Sequence, residues 1–204
     1  MTMDRLVYTV GHSTHAIERF VELLRQHEVT AIADVRSHPY SRMNPQFSRD
    51  AFSAWLKKNG VGYSFLGREL GARPTDHNCY VDGRARYDLI ARTPLFGSGL
   101  DRISEGSRRY RVALVCAEKE PMTCHRALLV CRHLIRRGFS VKHIHSNGEI
   151  EDHDSSLRRL AVEMGASLDD LFRNYDELVE DLYSRRGREI EYVESRPQLA
   201  ENRS

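Results

Sequence analysis

The chain of 204 residues carries 31 basic and 29 acidic side chains, 10 histidines and 4 cysteines, and 40% of its residues are hydrophobic. A chain of this length can bury one sizeable core without disulfides, and a formal charge of +2 does not by itself indicate nucleic-acid or membrane binding. The sequence has no apolar run of the roughly 18 to 20 residues that a membrane-spanning helix needs, and its first residues do not resemble a secretory leader. We therefore expect a cytoplasmic protein with reduced thiols and no membrane partner.

Short apolar segments alternate with amphipathic ones along most of the chain. Strands are predicted over 6–10, 30–35, 63–66, 111–116 and 140–144, and helices over 16–27, 49–59 and 124–137. The segment 67–109 is predicted to be irregular, with short helices near 84–91 and 99–105. The alternation predicts an α/β fold, a single three-layer domain over residues 1–153 with a mostly parallel sheet of about five strands.

A C-terminal helical extension is predicted over residues 154–204. Its expected parts are amphipathic helices over 157–164 and 171–183, a capping box over 167–170, and a charged, extended tail from Arg185. These helices are candidates for covering the site or for joining two copies of the chain into a homo-oligomer.

Ligands of open parallel sheets bind beyond the carboxyl ends of the strands. Segments rich in glycine and in polar or reactive side chains follow the predicted strands, at 11–13, 34–36, 67–71, 116–118 and 145–148. A helix then begins at Cys124, His125 and Arg126, where unpaired backbone N–H groups favour an anion or a thiolate. We expect these segments to share one crevice.

Cys124 is the candidate nucleophile or ligand, because a helix N-terminus and the neighbouring Arg126 both favour its thiolate. Cys131, in the apolar body of the same helix, is expected in the core. Cys116, Cys124 and His125 are alternatively metal ligands, although their spacing differs from that of a zinc finger. The apolar strand that Cys116 ends suits a core position better than a ligand position.

Asp34 and Glu118 follow strands and can divide the roles of acid and base, or orient His12 or His125. Alternatively, Asp34 caps a turn or pairs with Arg36. Arginines and aromatic side chains on the predicted rim suit a phosphate and a base, or else belong to a solvated surface. They are Arg36, Arg42, Arg68, Arg73, Arg126, Tyr40, Phe47 and Tyr63.

Several motifs carry a family resemblance when taken in order. They are Tyr8–Ser13, Ala33–Arg36, Pro39 with Ser41 and Arg42, Pro45–Ser48, Leu66 and Gly67 with Leu70 and Gly71, and Cys116–Pro121 with Cys124–Arg126. Over residues 6–153 the chain resembles the uncharacterised bacterial and archaeal family known as domain of unknown function 488. The resemblance implies a compact α/β domain for which metal binding or catalysis has been suggested. The site positions that it implies are His12, Ser13, Asp34, Arg36, Cys116, Glu118, Cys124, His125 and Arg126.

We expect a hydrolase-like or transferase-like enzyme that acts on a phosphate-bearing substrate such as a nucleotide, a nucleoside or a nucleic-acid base. No cofactor is predicted, with a divalent metal as the alternative. The expected catalytic residues are His12, which would shuttle a proton, Asp34, Glu118, Cys124 and His125. The expected substrate-binding residues are Gly11, Ser13, Arg36, Tyr40, Arg42 and Arg126, the last holding the anion. The alternatives are a metal-binding protein that uses Cys116, Cys124 and His125, and a nucleic-acid-binding module without catalysis.

Overall fold

The computed structural model describes residues 5–168 and 173–194. Its strands are β1 Leu6–Gly11, β2 Ala31–Asp34, β3 Gly62–Phe65, β4 Tyr80–Val81, β5 Arg84–Ala85, β6 Val112–Cys116, β7 Ser140–Ile144 and β8 Ile150–Asp152. Six of them form a central sheet in the order β3-β2-β6-β1-β7-β8, and β4 and β5 form a separate hairpin. The five predicted strands pair in parallel, whereas the short β8 runs antiparallel to β7 and extends the sheet to six.

Helices cover both faces of this sheet, which confirms the three-layer α/β fold. They are α1 Ile17–Gln26, α2 Arg49–Lys58, α3 Gly67–Leu70, α4 Tyr87–Ile90, α5 Pro94–Gly106, α6 Arg132–Arg136, α7 His153–Glu163 and α8 Tyr175–Ile190. A π-helical segment, Arg126–Cys131, leads directly into α6. Buried side chains of α1 and α2 pack on one face of the sheet, and those of the π-helical segment, α5, α7 and α8 pack on the other.

The strand β6 shows why the apolar runs form the middle of the sheet. Val112 and Leu114 face one core, and Ala113 and Val115 face the other, so successive side chains are buried on opposite sides. A strand covered on both faces needs a continuous apolar run. The apolar run over 112–116 therefore belongs to a strand that is buried on both faces.

The segment 67–109 is more ordered than predicted. The helix expected near 99–105 begins earlier, at Pro94, because the Thr93 side chain accepts a hydrogen bond from the Phe96 N–H at 3.1 Å. The β4–β5 hairpin was not predicted, since each of its strands has only two residues.

The C-terminal extension also differs from the prediction. The last helix starts at Tyr175, and it continues to Ile190 where an extended tail was predicted from Arg185. The helix persists because Leu182, Tyr183 and Gly187 are buried along one face. The predicted capping box over 167–170 extends outside the described residues. Within the described ranges, the helices are all too short or too polar to cross a membrane.

Candidate functional site

The loops after β1 and β6 meet at a switch point of the sheet. These strands are neighbours, but the chain leaves β1 for β2 on one side and leaves β6 for β7 on the other, which opens a crevice between the two loops. The backbone N–H groups of His12 and Ser13 donate to the carbonyl oxygens of Cys116 and Ala117, both at 2.9 Å. Gly11 permits this approach, since a Cβ there would lie 2.0 Å from the Glu118 backbone oxygen.

A cavity of about 370 Å³ opens beside these loops. Its reactive side chains are Cys116, Glu118, Cys124 and His125. The remaining lining residues are Arg36, Ser37, His38, Tyr40, Ala72, Arg73, Tyr87, Ala117, Thr123, Ile190 and Tyr192. The cavity is therefore lined both by the predicted thiol, imidazole and carboxylate side chains and by residues of the C-terminal extension.

Cys116, Glu118, Cys124 and His125 form a compact group that we call the thiol cluster. The Glu118 Oε2 atom accepts hydrogen bonds from the Cys116 and Cys124 thiols, at 2.8 and 3.1 Å. The His125 Nδ1 atom lies 3.7 Å from the Cys116 sulfur and 3.9 Å from the Cys124 sulfur. On its other side, the ring donates from Nε2 to the Val35 carbonyl at 2.9 Å, which fixes its orientation.

Cys124 lies at a helix start, as predicted. Its carbonyl accepts hydrogen bonds from the Ala127 and Leu128 N–H groups, both at 3.1 Å. Its sulfur accepts one from the Arg126 N–H at 3.5 Å. The Cys124 sulfur therefore lies close to the positive end of the helix dipole.

The surroundings of Cys124 favour its thiolate. Burial alone raises the pKa of Cys124, but the hydrogen bond with Cys116, the charge of Arg126 and the contact with His125 bring it well below its ordinary value. Burial and the neighbouring Cys124 raise the pKa of Cys116. Burial lowers the pKa of His125, but Cys124 and Glu118 outweigh it and raise that pKa overall. Of the two sulfurs, Cys124 is therefore the one that loses its proton more readily.

Arg126 lies behind the thiol cluster and does not line the cavity. Its side chain is 1% exposed and donates to the backbone oxygens of Glu118 at 2.6 Å and Lys119 at 3.1 Å. Its Nε–H also donates to the Thr9 hydroxyl at 3.4 Å. Arg126 therefore holds the loop after β6 and supplies a positive charge to Cys124, instead of offering its donors to the cavity.

Asp34 and Arg36 form a buried ion pair, which is one of the two alternatives that the sequence leaves open. The guanidinium donates to both carboxylate oxygens, at 2.8 and 2.6 Å, and the Tyr63 hydroxyl donates to the same carboxylate at 2.8 Å. Arg36 also donates to the Phe47 carbonyl at 2.9 Å. The Asp34 side chain is fully buried, and both of its carboxylate oxygens accept hydrogen bonds within this network.

His12 is enclosed by the same network. Its Nδ1 atom donates to the Ser13 carbonyl at 2.9 Å, its Nε2 atom accepts from Arg36 at 3.1 Å, and its ring stacks on Phe47. Burial and the charge of Arg36 lower the pKa of His12 to about 4. The imidazole is thus neutral and both of its nitrogens are engaged, an arrangement that suits a positioning role better than proton transfer.

The remaining predicted site residues are dispersed. Tyr40 lines the cavity and is 73% exposed, whereas Arg42 is exposed outside it. Ser13 adopts a positive φ of 46° in the loop after β1. The turn over 145–148 does not line the cavity, and its Gly148 carbonyl is hydrogen-bonded at 2.9 Å to the ring of His27, which follows α1.

Comparison with protein families finds a match over more than half of the chain. Residues 16–132 of the 204 match the family described as Domain of unknown function DUF488. The chain belongs to this family. The DUF488 region includes Asp34, Arg36 and the thiol cluster, and it ends before α7 and α8. Neither the curated proteins nor the solved structures contain a match.

Two side chains of the cavity wall come from beyond the DUF488 region. Ile190 ends α8, and Tyr192 follows it. The sequence offered no periodic pattern for Tyr192, because it lies after the last helix. Its position depends on tertiary contacts with the segment 83–87, which no local pattern reveals.

Proposed function

We propose that this chain is a hydrolase-like or transferase-like enzyme that acts on a phosphate-bearing substrate, such as a nucleotide, with Cys124 as its nucleophile. The observation that carries this proposal is the environment of the Cys124 sulfur. It lines the cavity, lies 3.1 Å from the Glu118 carboxylate, and has the charge and the N–H group of Arg126 behind it. An adjacent proton acceptor and a depressed pKa are two of the ways in which proteins activate a thiol.

The first chemical step is transfer of the Cys124 proton to Glu118. The thiolate then attacks the electrophilic phosphorus or carbon of the substrate, forming a bond from sulfur to that atom while the bond to the leaving group breaks. Glu118 returns its proton to the leaving group. A water molecule, deprotonated by Glu118, then cleaves the bond to sulfur and regenerates the thiol, so that the net reaction is hydrolysis. A second substrate in place of water gives group transfer.

The other members of the cluster support this cycle. Cys116 donates a hydrogen bond to the Glu118 carboxylate at 2.8 Å and so orients it between the two sulfurs. Arg126 stabilises the thiolate through its charge, and its bonds to the loop carbonyls hold Glu118 at the cavity. The π-helical turn that follows Cys124 fits this role, since such turns occur frequently at functional sites.

A substrate screen with two matched variants tests the proposal. The full chain is incubated with nucleoside mono-, di- and triphosphates, and products are followed by mass spectrometry. Conversion is expected to be lost in Cys124→Ser and kept in Cys131→Ser, because Cys131 is fully buried at the end of the π-helical segment and does not line the cavity. Equal conversion by Cys124→Ser and the unaltered chain would remove the nucleophilic role.

Metal binding is a second candidate function, favoured by the convergence of three potential ligands. One ligand atom from each of Cys116, Cys124 and His125 lies within 4.8 Å of the others, and all three residues are buried. Two thiolates and an imidazole form a donor set that suits zinc, with Glu118 as a fourth donor. The hydrogen bond from His125 to the Val35 carbonyl leaves Nδ1 facing the sulfurs, an orientation typical of metal-binding histidines.

Elemental analysis separates the two candidates. Chain purified without a histidine tag is expected to contain substoichiometric zinc if Cys124 is a free nucleophile. A metal site predicts about one zinc ion per chain, lost in Cys124→Ser and kept in Cys131→Ser. Alkylation by iodoacetamide gives a second readout, since a chelator would accelerate the labelling of a metal-bound thiolate and leave a free one unchanged.

A further inference from the structure

The arginines near the thiol cluster differ in whether their charge is available to a ligand. Arg36 is paired with the buried Asp34 carboxylate, and Arg126 donates to backbone oxygens behind the cluster. Arg73 lines the cavity and is exposed, and among the described residues its guanidinium has no carboxylate partner. Its charge is therefore available to an anion in the cavity.

Arg73 is also held in position. Its guanidinium carbon lies 4.3 Å from the centre of the Tyr192 ring, which is a cation–π contact. Its backbone N–H donates to the Ser37 hydroxyl at 3.0 Å. Within residues 5–168 and 173–194, the N–H donors of this guanidinium make no hydrogen bond, and a planar fork of this kind matches the oxygens of a phosphate.

Tyr192 is itself fixed by the chain around it. Its carbonyl accepts a hydrogen bond from the Ala85 N–H at 2.8 Å, and the Glu194 N–H donates to the Gly83 carbonyl at 2.8 Å. The buried Glu191 carboxylate accepts from the Tyr87 N–H at 3.0 Å. The segment 191–194 is thus attached to the β4–β5 hairpin and to the start of α4, beside the cavity.

On the basis of the proposed function, we infer that Arg73 binds the phosphate of the substrate and that Tyr192 positions Arg73 for this contact. The C-terminal extension then completes the substrate-binding site, because the residues after α8 supply the ring on which the phosphate-binding arginine rests. The chemistry comes from the DUF488 region, whereas part of the substrate recognition comes from beyond it.

Binding of inorganic pyrophosphate to the full chain, measured by isothermal titration calorimetry, tests this inference. Arg73→Ala is expected to weaken binding about tenfold or more, as for the loss of a charge-assisted hydrogen bond. Tyr192→Ala keeps the arginine but loses the contact that orients it, and is expected to weaken binding about threefold. Tyr192→Phe keeps the ring and is expected to bind as the unaltered chain does.

Two control variants isolate the effect. Arg68→Ala removes an exposed arginine that does not line the cavity, and Val193→Ala changes an exposed residue of the same C-terminal segment, so both are expected to leave binding unchanged. If Tyr192→Ala does not fold, Arg73→Ala still decides whether Arg73 binds the anion, and Tyr192→Leu, which also removes the ring, replaces Tyr192→Ala with the same expected loss. The inference is overturned if the unaltered chain does not bind pyrophosphate, or if Arg73→Ala binds it equally well.

Failure of the inference and failure of the proposed function give different results. Alkylation of Cys124 by iodoacetamide at about pH 6 reports on the thiolate alone. Normal alkylation with binding that does not depend on Arg73 would refute the inference and leave the nucleophile intact. Absent alkylation of Cys124 would refute the nucleophile, whatever the binding data show.

Discussion

Replacing Gly11 by alanine tests how the two loops of the crevice are joined. The added Cβ would lie 2.0 Å from the Glu118 backbone oxygen and 2.9 Å from its carbonyl carbon. Because these are backbone atoms, no side-chain rotation relieves the overlap, and the loop after β6 must move. Overpacking costs about 1–3 kcal/mol. The same movement would disturb the 2.6 Å hydrogen bond from Arg126 to that oxygen, so we expect a loss near the upper value, about 3 kcal/mol.

Thermal unfolding measures this loss. For a chain of this size each kcal/mol shifts Tm by about 2–4 °C, so Gly11→Ala is expected to lower Tm by about 6–12 °C. Gly97, within α5, provides the matched control, because a Cβ there meets nothing within 4 Å. Gly97→Ala is expected to raise the free energy of unfolding by about 0.5–1 kcal/mol, since alanine favours a helix over glycine.

Moving the loop should also change the chemistry. The loop carries Glu118, so its displacement would lengthen the 3.1 Å contact with Cys124 and slow alkylation of that thiol. An unaltered Tm in Gly11→Ala would refute the reasoning, because it would mean that the two loops leave room for a Cβ between them.

Three further predictions concern buried polar groups. Arg126→Met leaves two backbone oxygens of the loop after β6 without their donors and is expected to cost about 3 kcal/mol; an unchanged urea unfolding curve would contradict this. Tyr63→Phe removes one donor to Asp34 and is expected to cost about 1 kcal/mol by the same assay, and a more stable variant would contradict it. Burial lowers the pKa of His153 to about 4, so the unfolded chain takes up this proton first as the pH falls below about 6.5. Between those values His153 is expected to lower the free energy of unfolding by about 3 kcal/mol, with the similarly shifted His12 adding to the loss, whereas a flat profile would show that His153 is not buried in neutral form.

Local patterns were sufficient for most of the fold. The apolar runs predicted the five parallel strands, because a buried parallel sheet needs such runs wherever it occurs. They did not predict β8, whose residues are exposed or half-buried and which pairs only with its neighbour β7. The helical course of 185–190 was missed because it depends on burial of Tyr183 and Gly187, and charge alone suggested a loose tail.

The candidate site was also predicted only in part, because local patterns show where strands end but not which side chains pair across the fold. The ends of β1, β2 and β6 could be identified along the sequence, and the structure brings His12, Arg36 and Cys116 close to the cavity. Which arginine keeps a free charge could not be identified, because it depends on partners far away in the sequence. Arg36 is neutralised by Asp34, whereas Arg73 makes a cation–π contact with Tyr192 and has no carboxylate partner in the part of the chain that the structure describes.

The pH dependence of Cys124 alkylation is the most direct test of the account. Peptide mass spectrometry after brief treatment of the full chain with iodoacetamide follows each of the four cysteines separately. We expect Cys124 to react first, with a midpoint well below pH 8.5, the ordinary thiol value. Cys131, whose pKa is raised by burial, should remain unlabelled. A Cys124 midpoint at or above about 8.5, or labelling no faster than that of Cys131, would contradict the central claim that Cys124 is an activated thiolate.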